Sequence, residues 1–329
     1  MLPPVTVHPF IPFAYSPIVL IGGFAVRLDT IALALVILAS LVVAARIARR
    51  TPVDVARSPD EAGEDPDAEE PNHLRADDLL YVAVAALPGA VIGGRLGYAL
   101  LHLDYYQANP AALLDPTQGG LALSMAVVGG FITASVVAGL LGAPAGRWMH
   151  AAVLPVLLGL AAGKVAMAIG GSGQGLPWDG QWATAYLGPG PWGSPAPEIP
   201  AHPAQLYEAL ATAAVLLVMA LLLARGAFAR RTGTAFLLGI ALWAVARAAV
   251  AFTWRDPAVL GPFGMEQVVC LVIAAGALVL LVVAAGADAA RRRRGGAAAE
   301  GTDGAGRAGE RTPSGGEASW PDPSSRPRI

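Results

Sequence analysis

Seven stretches of the sequence are long and apolar enough to cross a membrane. A spanning helix needs about 20 mostly apolar residues, because the hydrocarbon offers no partner to a free backbone N–H or C=O. Hydrophobic residues make up 55% of the chain and charged residues only 14%, unlike ordinary soluble domains. The sequence therefore predicts an all-α, polytopic membrane protein with seven transmembrane helices. The stretches are 28–45, 79–101, 120–141, 151–170, 205–223, 234–252 and 263–285.

Arginines flanking these stretches predict how the chain is oriented. Loops on the cytoplasmic side of a membrane are enriched in Lys and Arg. The opposite side keeps only Arg27 and Arg255 outside the spans, so we expect the N-terminus outside and the C-terminus in the cytoplasm. The arginines that follow a span on the predicted cytoplasmic side are Arg46, Arg49, Arg50, Arg147, Arg225, Arg230, Arg231 and Arg291–Arg294.

Four segments are predicted to lie outside the membrane. Residues 1–27 form an outward N-terminal segment, and residues 51–77 form an acidic cytoplasmic linker whose composition favours disorder. Residues 287–329, rich in Gly, Ser and Pro beyond residue 295, are expected to form a disordered cytoplasmic tail. Residues 171–203 form an outward loop that is a candidate lid or membrane-surface arm, with three interfacial tryptophans, Trp178, Trp182 and Trp192.

Cysteine count and net charge exclude several classes of protein. Cys270 is the one cysteine, so disulfide scaffolds and multi-cysteine metal sites are excluded. The net charge of -2 gives no basic excess for nucleic acid, and we expect no nucleic-acid partner. Nothing in the sequence indicates a metal or a dissociable cofactor.

Ionisable residues inside the predicted spans are the main functional candidates, since such side chains are costly in a membrane. Four occur, on four different helices and within about two turns of the outward side. Three cations facing one carboxylate would leave an excess of positive charge, which suits an anion such as a lipid phosphate. Alternatively, an arginine pairs with the carboxylate between helices or reaches the outer headgroups. The four are Arg95, Lys164, Glu208 and Arg247; Asp29 and Glu266 are set aside as span-edge residues near water.

The segment HPAQLYEAL carries the densest group of polar side chains, at the start of the fifth span. Gln205 and Glu208 are three residues apart and share one helix face, which we expect to look into the bundle. Alternatively, His202 and Tyr207 belong to an interfacial belt. Glycines around Arg95 (Gly93, Gly94, Gly97) and the pair Gly129–Gly130 allow close approach of helices, with packing favoured over a ligand.

Several of these segments resemble one enzyme family. They are IGGRLGYALL at 92–101, HPAQLYEAL at 202–210 and GMEQVV at 264–269, with GGFAVRLDTIAL at 22–33 and ARAAVAFTWRDP at 246–257 as further elements. Over roughly residues 7–285 the chain resembles the prolipoprotein diacylglyceryl transferases, seven-span enzymes of the bacterial plasma membrane. The resemblance implies transfer of a diacylglyceryl group from phosphatidylglycerol to the lipobox cysteine of lipoprotein precursors. Its implied partners are therefore phosphatidylglycerol, other membrane lipids and these precursors.

The chain departs from the family pattern at several positions. In GKVAMAIGGS, Lys164 stands for the arginine of the family's signature run Gly-Arg-x-Gly-Asn-Phe-x-Asn-x-Glu, while Met167 and Gly170 stand for its asparagines and Ser172 for its glutamate. Val128 occupies the place of the family's histidine in the third span. Two further replacements are Asp29 for a first-span tyrosine and Ala251 for a glutamate after Arg247.

The resemblance implies roles for the remaining polar residues. The cysteine thiolate is the nucleophile, so a base is required, and His202 is the first candidate, followed by Glu208 and Tyr207. Cations must stabilise the departing glycerol phosphate, a role that falls to Arg95, Lys164 and Arg247. Further substrate-binding candidates are Tyr98, Gln205 and Gln267.

Two other functions remain open at this point. One is a family paralogue that has lost the transfer but binds anionic lipid or precursor, or performs another headgroup reaction. The other is an unrelated transporter or receptor, which would need a continuous polar path through the spans. The polar residues of this sequence lie only in the predicted outer half, and no internal repeat is evident.

Overall fold

The computed structural model contains the seven predicted spanning helices. It describes residues 10–52, 73–75, 77–115, 117, 120–142, 145–229 and 233–309, with only the backbone for 288 and 291–309. Within these residues, seven helices are long and apolar enough to cross a membrane, which confirms the all-α, polytopic class. They are α1 (Leu28–Ala48), α2 (Asp78–Leu101), α4 (Leu123–Leu140), α5 (Ala145–Ile169), α6 (Ala204–Ala224), α7 (Thr234–Val250) and α8 (Met265–Gly309), and a short helix α3 (Leu103–Ala108) follows α2.

Most helix ends agree with the sequence prediction; besides the longer C-terminal end of α8, described below, the main difference is in α5. This helix begins at Ala145, ahead of the predicted start at residue 151, and so includes Arg147 and Trp148. Trp148 is buried against Ala48, Leu74 and Ala138, which extends the helix beyond its purely apolar part. Sequence hydropathy missed this turn because Arg147 interrupts the apolar run.

Helices α2 and α4 make the closest helix–helix contact. A methyl group built on Gly89 would collide with the carbonyl oxygen of Gly129, and one on Gly129 would collide with the carbonyl of Gly89. Gly93 likewise faces the backbone of Met125. The glycines of both helices therefore serve packing, as the sequence indicated, because small residues let backbones touch in a membrane.

A second packed region lies among α5, α6, α7 and α8. Trp243 of α7 and Met219 of α6 are fully buried there, with Leu157 of α5 and Cys270 of α8 beside them. Dispersion contacts among such large side chains hold helices together where lipid removes the hydrophobic driving force. These contacts pack together the same four helices that carry the buried charges described below.

Short strands cover the end of the bundle where α5 ends and α6 begins. β1 (Ile11–Phe13) pairs in parallel with β4 (Thr184–Tyr186), so residues preceding α1 are joined to the loop between α5 and α6. The hydroxyl of Tyr15 donates a hydrogen bond of 2.7 Å to the carbonyl of Ile169, at the end of α5. Two hairpins complete the set: β2 (Ile18–Ile21) with β3 (Phe24–Arg27), and β5 (Ala258–Leu260) with β6 (Phe263–Gly264).

The loop at 171–203 is buried around β4 and exposed over much of its remaining length. Thr184, Ala185 and Tyr186 are buried, and the hydroxyl of Tyr186 donates to the carbonyl of Ala168 at 2.8 Å. Of its three tryptophans, Trp182 is largely exposed, whereas Trp178 stacks on His202 and Trp192 packs against Tyr15 and Tyr186.

The segments predicted to be disordered are described only in part. Residues 53–72 and 76 of the linker lie outside the described residues, as do Arg230 and Arg231. At the linker ends, Pro52 forms a β-bridge with His73, and the amide of Leu74 donates to the carbonyl of Thr51 at 3.0 Å.

The chain divides into two units, 1–281 and 282–329. The helical backbone of α8 continues to Gly309, into the stretch predicted as tail. Residues 310–329 lie outside the described part.

Candidate functional site: a buried ionic cluster beside a polar cavity

Four charged side chains from four helices meet in the interior. Lys164 belongs to α5, Glu208 to α6, Arg247 to α7 and Glu266 to α8. Each is buried, the most exposed being Lys164 at 7%. Lys164 and Glu266 approach from opposite helix ends, the former near the C-terminus of α5 and the latter in the first turn of α8.

Glu208 lies at the centre of this cluster and contacts both cations. One of its oxygens, Oε2, is 2.9 Å from Nζ of Lys164, and Oε1 accepts a hydrogen bond from Nη1 of Arg247. On the other side of Arg247, Oε1 of Glu266 accepts from Nε and lies 3.0 Å from Nη2. The guanidinium thus bridges two carboxylates, an arrangement that matches its fork of donors.

Two tryptophans flank the Arg247 guanidinium. Its central carbon lies 4.5 Å from the ring centroid of Trp254 and 5.9 Å from that of Trp243. A cation over an aromatic face gains further stabilisation when both are removed from water. Arg247 is therefore held on its edges by carboxylates and on its faces by aromatic rings.

The charges of this cluster balance, which corrects the expectation of three cations around one carboxylate. Glu266 was set aside as a span-edge residue near water, yet it is only 3% exposed and pairs with Arg247. The expectation was wrong because the first turn of α8 packs against the end of α7, where Glu266 contacts Arg247 and Gln267 bonds to the carbonyl of Ala248. Two cations face two carboxylates, so burying them requires no uncompensated charge.

A polar cavity of about 250 Å³ adjoins the cluster. Two more charged residues line it, Arg255 and Asp256, from the segment that follows α7. Nε of Arg255 donates to the carbonyl of Gly175 at 2.7 Å, whereas its Nη2 is buried with no hydrogen-bond partner among the described residues. The lining residues are Lys164, Gly173, Gln174, Gln205, Glu208, Arg247, Trp254, Arg255 and Asp256.

Arg95 does not join this cluster. Its guanidinium donates to the carbonyls of Leu113 (3.0 Å), Ala112 (2.6 Å) and Asp115 (2.7 Å), in the connection between α3 and α4. It lines a different cavity, of about 430 Å³, together with apolar residues of α2. Tyr98 lies near this connection, stacked on His102 at 4.1 Å and packed against Gly120. Arg95 and Tyr98 therefore hold the segment between α3 and α4 against α2.

His202 and Tyr207 lie at the start of α6, with ring centroids 6.0 Å apart, and neither lines the polar cavity. The imidazole stacks on Trp178 at 4.3 Å, and its Nδ1 is buried without a partner in the described part of the chain. Burial lowers the pKa of His202 below its ordinary value, so the ring is neutral near pH 7 and able to accept a proton.

Gln267 has a packing role instead of a place in the cavity. Its Oε1 accepts from the amide of Gly264 at 2.6 Å, and its Nε2 donates to the carbonyl of Ala248 at 3.1 Å. Both ends of the amide are therefore used to join the start of α8 to the end of α7.

Sequence reasoning missed Glu266, Arg255 and Gln174, as well as Trp254 and Asp256. The sequence did mark Glu266, because it replaces the glycine between Met265 and Gln267 in the family segment. It also marked Arg255, as one of the two arginines on the predicted outward side. Gln174 carries no local signal, because only the folding of the loop over the bundle brings it to the cavity.

The fold and the site together define a class: a multi-pass, all-α membrane protein with a charge-balanced cluster at one end of its bundle. The profile of the family described as prolipoprotein diacylglyceryl transferase matches residues 17–283. The chain belongs to this prolipoprotein diacylglyceryl transferase family.

Three curated relatives carry the name phosphatidylglycerol–prolipoprotein diacylglyceryl transferase. The protein from Geobacter sulfurreducens is 32% identical over 60% of this chain and 74% of its own length. The protein from Gluconacetobacter diazotrophicus is 33% identical over 61% and 71%, respectively. The protein from Methylococcus capsulatus is 34% identical over 60% and 73%.

Proposed function

We propose that this protein transfers a diacylglyceryl group from phosphatidylglycerol to the cysteine of a lipoprotein precursor. The observation that carries the proposal is the polar cavity, bordered by Lys164, Arg247 and the partly unpaired Arg255, in a chain of this family. An anionic headgroup needs N–H donors in a water-poor site, and this cavity offers them.

The reaction forms one carbon–sulfur bond and breaks one carbon–oxygen bond. The cysteine thiol gives up its proton, and the thiolate attacks the glycerol carbon that is joined to the phosphate. Glycerol phosphate leaves with the electron pair of the broken bond, and a thioether remains on the precursor. Two tasks follow for the protein: accepting a proton and stabilising the charge of the leaving phosphate.

Arg255 is the cation best placed for the phosphate. Arg247 is already shared between Glu208 and Glu266, and Lys164 is paired with Glu208. Nη2 of Arg255 has no protein partner within the described residues, so a phosphate oxygen gains a hydrogen bond without breaking one. Lys164 and Arg247 then stabilise the charge from the cavity wall at short range.

His202 is the residue that we assign as proton acceptor. Glu208 is poorly suited, because its two oxygens are already engaged by Lys164 and Arg247. The neutral imidazole of His202, with Nδ1 unpartnered in the described chain, retains the capacity to bind a proton. Because His202 lies outside the cavity lining and Trp178 covers one face of its ring, the precursor cysteine must approach from the side that Trp178 leaves open.

The arginine distribution supports an outward-facing site in the bacterial plasma membrane. The cavity lies at the ends of α5 and α7 and the start of α6, opposite the ends followed by Arg49 and Arg225. Lipid would then enter from the outer leaflet, and precursors would bring their lipobox cysteine to the same surface.

A depletion experiment tests this function in cells. This chain is expressed in a bacterium whose own diacylglyceryl transferase is depleted, and lipidation of a reporter precursor and growth are followed. We expect both to be restored, and Lys164→Met at matched expression to restore neither. A well-expressed wild-type protein that restores neither would contradict the transferase and favour a lipid-binding paralogue.

A further inference from the structure

Two buried glutamine side chains border the polar cavity and carry unpaired amide oxygens. Gln174 is 7% exposed and Gln205 is 2% exposed, and both line the cavity. Oε1 of each is buried and has no hydrogen-bond partner among the residues that the structure describes. A buried acceptor without a donor costs about 1–3 kcal/mol, so two of them beside one cavity point to a ligand that supplies donors.

The orientation of each amide follows from its neighbours. Nε2 of Gln174 donates to the carbonyl of Thr184 at 2.9 Å, and a carbonyl can only accept. Nε2 of Gln205 donates to the hydroxyl oxygen of Tyr186 at 2.9 Å, whose proton is already given to the carbonyl of Ala168. In Gln174, exchanging N and O would set two acceptors against each other, and in Gln205 it would require the Tyr186 hydroxyl to leave the Ala168 carbonyl. In the observed arrangement both Oε1 atoms are therefore unpaired acceptors.

Strand β4 holds both amides in place. Thr184 and Tyr186 are alternate residues of this short strand, which pairs with β1 and is buried throughout. Fixed acceptors lose little entropy on binding and discriminate strongly against a ligand that leaves them unpaired.

We infer that Gln174 and Gln205 select a polyol headgroup, accepting hydrogen bonds from the hydroxyls of the phosphatidylglycerol head while Arg255 binds its phosphate. This inference rests on the proposed function and identifies the glycerol headgroup as the part of the donor lipid that the cavity recognises. A phosphodiester without hydroxyls would leave both amide oxygens unpaired, and a zwitterionic head would bring an ammonium towards Arg255.

Lipid selectivity tests the inference. The probes are phosphatidylglycerol, phosphatidylmethanol and phosphatidylethanolamine with identical acyl chains; phosphatidylmethanol keeps the phosphodiester charge but has no free hydroxyl. Binding to the purified full chain in detergent is measured by native mass spectrometry, and transfer to a lipobox peptide is measured in parallel. We expect wild-type protein to prefer phosphatidylglycerol over both other lipids by about tenfold, as expected for two hydrogen bonds.

Two variants and a matched control make the test specific. Gln174→Met removes the acceptor oxygen, and Gln174→Asn moves it back by one methylene. Each variant should lower the preference for phosphatidylglycerol over phosphatidylmethanol by about threefold. Binding of phosphatidylmethanol itself should not change. Gln181→Met changes an exposed glutamine of the same loop and should leave the preference intact. Because the readout is a ratio between two lipids, a general loss of stability does not imitate the effect.

The outcomes separate this inference from the proposed function. Selective binding that falls in the Gln174 variants, in a protein without transfer activity, would support the inference and overturn the transferase. Transfer that uses phosphatidylglycerol and phosphatidylmethanol equally would leave the transferase standing and overturn the inference. Equal binding of the three lipids by wild-type protein, or full selectivity in both Gln174 variants, would also overturn it.

Discussion

Glu266, in the first turn of α8, accepts a hydrogen bond from Nε of Arg247 and also contacts its Nη2, 19 residues back along the chain. Glu208 holds the remaining edge of the same guanidinium. This pairing fixes the end of α7 against α8 and places Trp254 and Arg255, which follow α7, at the cavity. The balance of the cluster therefore shapes the site as well as stabilising the bundle.

Removing Glu266 should destabilise the protein strongly. Glu266→Ala leaves one edge of the Arg247 guanidinium buried and unpaired, and the cost of breaking a buried pair is about 3–5 kcal/mol. The midpoint of denaturant unfolding in detergent measures this. Glu198→Ala, at an exposed position of the 171–203 loop, serves as the control and should change stability little. Equal stability of the two variants would contradict the role given to Glu266.

Removing Arg255 should weaken the binding of anionic lipid with little effect on folding. Hydrogen bonds to charged groups contribute about 1.5–3 kcal/mol, which corresponds to roughly tenfold to a hundredfold in affinity. Stabilisation of Arg255→Ala by added phosphatidylglycerol is compared with that of Arg225→Ala, an exposed arginine at the opposite end of α6. If both variants lose the same stabilisation, phosphate binding does not occur at this cavity.

The α2–α4 contact should tolerate no methyl group at its centre. Gly129→Ala places its Cβ against the Gly89 carbonyl, and overpacking of this kind costs about 1–3 kcal/mol. Gly139→Ala is the matched control on the same helix, since nothing lies within 4 Å of its added methyl. Thermal unfolding in detergent should show a loss for Gly129→Ala alone, and the reverse order would contradict the packing.

Alkaline pH should destabilise the loop through Tyr186. Burial raises the pKa of Tyr186 to about 12 from 10.0, so the folded state holds this proton more tightly than the unfolded state. This contribution is complete below pH 10 and is lost as pH rises towards 12, by about 1.4 kcal/mol for each pH unit. Tyr186→Phe should be less stable at neutral pH and show a smaller alkaline loss. A steeper alkaline loss in the variant would refute this.

If His202 accepts the proton, its pKa determines how the transfer rate falls at acidic pH. Burial lowers the pKa of His202, so the neutral base persists to lower pH than an exposed histidine would allow. The transfer rate should therefore fall only below about pH 6.5, the ordinary value for histidine. Transfer by His202→Ala should be about a hundredfold slower or worse and should lack this fall at acidic pH. An unchanged profile in the variant would assign the proton to another group.

The seven helices were predictable because a membrane imposes one requirement on every spanning segment, and the apolar runs between Leu28 and Ala287 display it directly. The meeting of Lys164, Glu208 and Arg247 was predictable too, since intramembrane charges need partners. The burial of Glu266 and the place of Arg95 were not, because they depend on helix rotation and on a turn after α2 that hydropathy does not encode. Gln174 depends on strand pairing between β1 and β4, across more than 170 residues of sequence.

In vitro transfer tests the central claim most directly. The purified chain is placed in liposomes containing phosphatidylglycerol with a peptide that carries one lipobox cysteine, and mass spectrometry follows the peptide. We predict a diacylglyceryl thioether that is absent with a Cys→Ser peptide, which would mean that Lys164 and Val128 are compatible with the reaction. No such product, beside an active family enzyme in the same liposomes, would contradict the account.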